Sequence, residues 1–187
     1  MLGLNELKQT KVYQEAFAEG EEVGEQRGEQ IGEERGKQIG EQKANLIAIP
    51  SLIQLELSLA VIAEVLKLPI EIVEEVAKSF YAQNVVAFRE ILTKRSSLFS
   101  PENRTNLTEL IAPLPDEIAE LSQVISNWCK SPSHAAQADA LNEVLETRWN
   151  GVIEIAISNN LATIPTPENY PNKEMLQKAI DPHFTSQ

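Results

Sequence analysis

"EGEEVGEQRGEQIGEERGKQIGEQK" (residues 19–43) carries glycine at every fourth position: Gly20, Gly24, Gly28, Gly32, Gly36 and Gly40. The residues between them are mostly Glu, Gln, Lys and Arg, all good helix formers, and no proline interrupts the run. The stretch predicts a helix in which the poorest ordinary helix former recurs about once per turn. Each glycine costs about 1 kcal/mol against alanine, so the row costs roughly 6 kcal/mol in an isolated helix. The residues that follow the glycines are Glu21, Glu25, Glu29, Glu33, Lys37 and Glu41, a row in which most i,i+4 neighbours repel. Alone, such a helix is marginal.

A second row explains the first. Val23, Arg27, Ile31, Arg35, Ile39 and Lys43 alternate apolar and basic along the same helix. Four residues advance a helix by about 400°, so every such row drifts about 40° per step and winds as a right-handed stripe. The glycine row and the Val/Ile row therefore travel side by side. Small residues at this spacing let two backbones approach closely, and the apolar side chains fill the groove beside them. Basic members of the row then reach a neighbour's glutamates. The expected contact surface is Gly20, Val23, Gly24, Arg27, Gly28, Ile31, Gly32, Arg35, Gly36, Ile39 and Gly40. The competing reading is a solvated, Glu/Gln-rich spacer. A spacer has no reason to keep Val23, Ile31 and Ile39 in phase, which favours association.

The rest of the composition fits that picture. The 187 residues carry a net charge of −12, with 42% apolar and only 5% aromatic residues. Residues 1–45 hold 6 basic and 10 acidic side chains, residues 46–80 hold 2 and 5, and residues 81–187 hold 8 and 13. No segment is basic, which disfavours nucleic acid as a partner and favours a protein or a second copy of this chain. Cys129 is the sole cysteine, so no internal disulfide is expected, and a reducing, cytoplasmic setting follows. "MLGLNELKQTK" has no apolar core of signal-peptide length, and "LSLAVIAEVLKLPI" is too short and charged for a membrane span.

Next along the chain, "LIAIPSLIQLELSLAVIAEVLKLPIEIVEEVAKSF" (46–80) is the most apolar segment. Ser58 is placed to cap a short helix with Leu59, Ile62, Ala63 and Leu66 at helical spacing. Pro69 then sits at the first turn of another helix. Two short helices and a tight turn give a helix-turn-helix outline. Its second helix, however, offers Glu71, Glu74 and Glu75 against Lys78, the wrong chemistry for reading DNA.

Together, "LKQTKVYQEAFAEGEEVGEQRGEQ" and "IPSLIQLELSLAVIAEVLKLPIEIVEEVAK" resemble the C-terminal tail of Rpn-type recombination-promoting nucleases, bacterial PD-(D/E)XK proteins related to transposases. The resemblance covers roughly residues 6–80. It implies a restriction-like nuclease core preceding this helix, but no Asp followed by a Glu-x-Lys element is present here. "PDEIAE" (115–120) lacks the lysine and reads as a helix start, so no catalytic residue is carried over. The glycine ladder by itself also resembles the repeat helix of the flagellar export ATPase regulator.

From Tyr81 onward the pattern is a helical bundle. Val85, Phe88, Ile91 and Leu92 form one apolar face. "SPEN" (100–103) is a start signal, with Ser100 as cap, Pro101 at the first position and Glu102 favourable to the dipole. In "DEIAELSQVISNWCK", Ile118, Leu121, Val124, Ile125 and Trp128 point inward. "SPSH" opens the next helix, and "VIEIAIS" (152–158) is strand or helix, with helix favoured because a lone strand lacks a partner. "TIPTPENYPNK" is a loop and "KEMLQKAI" a last helix.

No catalytic constellation, metal-ligand cluster or cofactor motif emerges. His134 and His183 read as surface residues, and Cys129 reads as a small buried hydrophobe without an accompanying base. Trp128 and Trp149 read as core anchors. The ladder lacks the strand and lysine of a phosphate-binding loop. The expectation is an all-α protein in three parts: a glycine-repeat helix (1–45), a helical hairpin (46–80) and a bundle (81–187). Its expected role is non-catalytic association, as a homo-oligomer or with a protein partner. The alternative is an accessory or remnant acting with an Rpn-type nuclease or on DNA.

Overall fold

The computed structural model of the protein describes residues 11–181; His183 and the first residues of the family resemblance lie outside them. The described residues are all-α, with no strand. Seven helices follow one another: α1 Lys11–Gln54, α2 Leu59–Leu66, α3 Ile70–Lys94, α4 Pro101–Ile111, α5 Ile118–Cys129, α6 Ala135–Ser158 and α7 Lys173–Ile180. Two compact units divide the chain, the first ending at Gln42 and the second beginning at Lys43.

The first unit is the glycine-repeat part of α1. Every residue from Lys11 to Glu41 is exposed, and the helix is unbroken through all six glycines. The same helix runs on into the second unit, where its pattern changes: Leu46, Ile49, Pro50 and Ile53 are buried at i, i+3, i+4 and i+7. Pro50 sits inside the helix and has no N–H for the carbonyl of Leu46.

In the second unit, α3 is the hub. It packs against α2, α5, α6 and α7, and it is buried from Val73 to Leu92 on more than one face. Small and uncharged residues such as Ser79, Ala82, Asn84 and Ala87 let neighbours approach where the aromatic and branched residues do not point. The helix crosses residues 80–81 without a break, because Lys78–Gln83 contains neither glycine nor proline. Hairpin and bundle thus share one helix and one core.

Ser58 caps α2 by accepting from Val61 N–H, and Lys67 closes that helix with φ 54°. Ser100 and Asn103 form a capping box on α4, with Pro101 in the first turn. Phe88 is fully buried and meets Phe99 and Trp128 edge-on, at 5.8 and 5.9 Å between ring centroids. Asn84 joins α3 to α5 by donating to Ser122 Oγ (2.8 Å) and Ser126 Oγ (3.1 Å).

Helices α4 and α7 cap each other. Arg104 near the start of α4 donates to the carbonyls of Ile180 (2.7 Å) and Ala179 (3.2 Å) at the end of α7. Lys173 at the start of α7 donates to the carbonyls of Ala112 and Leu114, both at 2.6 Å, just beyond α4. Each cation meets the partial negative charge of a helix C-terminus. At the far end of α3, Glu90 pairs with Lys94 (2.8 Å) and with Arg148 of α6 (2.6 Å), which hold its carboxyl below the ordinary range.

The segment 152–158 is helical and belongs to α6, which passes straight through Gly151. Nothing lies within 4 Å of a Cβ placed there, and no described glycine has positive φ. Gly151→Ala should therefore stabilise the protein by about 1 kcal/mol, read as a raised midpoint in urea. Phe88→Ala should cost about 3–5 kcal/mol in the same assay, because the cavity it leaves is walled by two rigid aromatic rings.

Candidate functional site

The strongest candidate surface is the stripe on α1 between Gly20 and Gly40. Each of the six glycines has open space where a Cβ would stand. Beside them, Val23, Ile31 and Ile39 are 51%, 50% and 49% exposed. A helix could bury all three by turning an apolar face onto a core, as α1 itself does from Leu46 onward. Instead they stand eight residues apart, each flanked by a glycine one position on. The same eight-residue series reaches Ile47, also exposed, which sequence reading left out because the charge pattern ends at Lys43.

The charges around the stripe are segregated. Arg27 has Val23 and Ile31 at i±4, with Gly24 and Gln30 at i±3; Arg35 has Ile31 and Ile39, then Gly32 and Gln38. Neither arginine has a carboxylate at a spacing that faces it along the helix. Conversely Glu25 has glutamates at both i±4 positions. Between Gly20 and Gly40, Lys37 is the cation with acidic neighbours, Glu33 and Glu41, in its own row. Lys43, the last basic member of the apolar row, is bonded to Glu154 of α6 within the second unit.

Geometry limits how a neighbour can use this surface. From Gly20 to Gly40 the stripe climbs roughly 30 Å and turns roughly 200° about the axis. A straight helix crossing it touches only the turns nearest the crossing. A helix winding with it in a right-handed sense follows the whole row.

The helical hairpin presents a different face. Val73, Val76 and Ala77 are buried against the core, while Glu71, Glu74, Glu75 and Lys78 are exposed. Its outward surface is acidic.

Elsewhere the chemistry is sparse. Among the described residues, no group of three or more His, Cys, Asp or Glu side chains is placed to hold a metal ion. A cleft of about 160 Å³ is lined by Gln54, Asn84, Ser126, Cys129 and Asn142 among others. Burial pushes the Cys129 thiol up to about 12, so it stays protonated at neutral pH and is a poor nucleophile. His134 departs from its expected surface position. It is half-buried, stacked on Trp128 with ring centroids 3.6 Å apart, and its Nδ1 lies 2.8 Å from the Trp128 carbonyl oxygen. The Ser-Pro turn at 131–132 folds the imidazole back over the indole, a return that the local pattern does not encode. Trp128 and Trp149 are both buried, the former donating to Asn106 Oδ1 at 2.9 Å.

Among the described residues no helix is long and apolar enough to cross a membrane. Comparison of the chain with models of protein families, with curated proteins and with solved structures finds no match.

The state of Cys129 gives a direct check. A thiol reagent at pH 8 should modify the native protein far more slowly than the protein in denaturant, at least tenfold. Equal rates would mean the α5 end is open.

Proposed function

We propose that this chain is a non-catalytic interaction protein that associates through the glycine-repeat helix. The carrying observation is a helix whose glycines use none of their conformational freedom. All six have ordinary helical φ, so what distinguishes them from alanine is only the missing side chain. That absence costs about 1 kcal/mol per position in a lone helix, and within the chain it serves no packing purpose, since nothing approaches. Close approach of a second helix offsets the cost, with Val23, Ile31 and Ile39 supplying apolar area at the contact.

Acidic composition, an acidic outward face on the hairpin and the segregated charges of α1 all support a protein partner rather than a nucleic acid. The bundle beginning at Lys43 is then cargo or effector, displayed by the association.

Light scattering over a dilution series tests the reading. The native chain should move from oligomer to monomer as it is diluted. The chain with all six glycines changed to alanine should be monomeric throughout, yet more helical by circular dichroism. A native protein that stays monomeric at high concentration, or an alanine variant that associates equally well, would overturn it.

A further inference from the structure

The exposed face of α1 also specifies which partner and which orientation fit it. Each glycine is followed by a member of the acidic row and preceded by a member of the Val/Ile/Arg row, so the two rows flank the glycine row on opposite sides. When two helices meet glycine to glycine, the flanks decide the pairing. In a parallel pair related by a two-fold axis along the helices, the acidic flank of one helix faces the basic, apolar flank of the other on both sides. In an antiparallel pair, acidic meets acidic on one side, and arginine meets arginine on the other.

We infer that α1 pairs in parallel with a second copy of this chain, Arg27 and Arg35 of each helix reaching the partner's glutamate row. This rests on the association proposed above and adds its occupant and its direction. Two independent features of the face agree. Arg27 and Arg35 have no carboxylate at i±3 or i±4, and they are exposed, which leaves both open to carboxylates of a neighbouring helix. Glu21, Glu25, Glu29 and Glu33 repel one another along their row and gain from cations placed between them. A second copy in register supplies both at once, and like charges directly apposed disfavour the reverse direction. Lys37 is the single interruption of the acidic row, and its own neighbours Glu33 and Glu41 compensate it.

Dipolar spectroscopy on the full chain carrying Cys129→Ser and Gln14→Cys, spin-labelled at the new cysteine, tests this. Gln14 is exposed and stands outside both flanking rows. It lies 16 residues from the midpoint of the glycine row at residue 30. At 1.5 Å per residue, parallel helices place the two labels roughly 20 Å apart, and antiparallel helices place them roughly 50 Å apart. A short distance supports the inference, and a further chain bearing Arg27→Glu and Arg35→Glu should then lose the signal at equal concentration. A long distance overturns the inference while leaving association standing. Absence of coupling in a sample that light scattering shows to be monomeric overturns both.

Discussion

Burial of α3 on several faces at once is the constraint around which the second unit is organised. A helix enclosed by α2, α5, α6 and α7 has little room for charge along its middle, and from Val73 to Leu92 its inward positions are apolar, small or amide. Among the buried polar groups there, Asn84 donates to Ser122 and Ser126 and so also sets the register between α3 and α5, whereas Gln83 Oε1 is left without a partner. Where α3 emerges, Glu90 and the following Arg95 fasten α6 through Arg148 and Glu143. The mutual capping of α4 and α7 then closes the remaining side with no apolar cost.

Glycine is used against its habit in this chain. Positions that demand a left-handed backbone are filled by Glu56, Lys67, Asn160 and Leu161, although each non-glycine there is mildly strained. The described glycines all occupy ordinary helical or other negative-φ backbone. From Gly20 to Gly40 the glycines differ from alanine only by the missing side chain. The association proposed above rests on that contrast, which could be drawn only once the dihedral angles were known.

Much of the fold was legible because the chain marks its helix starts with short, local chemistry. Ser58 before α2 and Ser100 before α4 are side-chain caps acting within three residues, so sequence spacing suffices to find them. The proline-rich loop before Lys173 is equally local. What escaped reading depends on distance. Tyr81 looked like a new beginning, yet α3 runs through it, and its far half is clothed by α6 and by α5, whose Ser122 lies 38 residues from Asn84. The strand-like content of 152–158 left that segment open, yet neighbours on the apolar face at Trp149, Val152 and Ile153 carry α6 through Gly151. The stacking of His134 on Trp128 and the position of Ile47 are consequences of chain path, which periodicity does not reveal. The stripe on α1 was the reverse case: its residues recur at fixed spacing in the sequence, so the rows were legible there, and the structure adds that they are exposed.

The placement of both tryptophans has a practical corollary. Trp128 and Trp149 lie in the unit that begins at Lys43, wrapped among Phe80, Phe88 and Phe99, and no indole occurs elsewhere in the chain. Indole emission therefore reports on the bundle and is silent about the rod that precedes it. Ellipticity near 222 nm, by contrast, sums over both, so the two signals recorded on one sample resolve melting of the rod from melting of the bundle without any label.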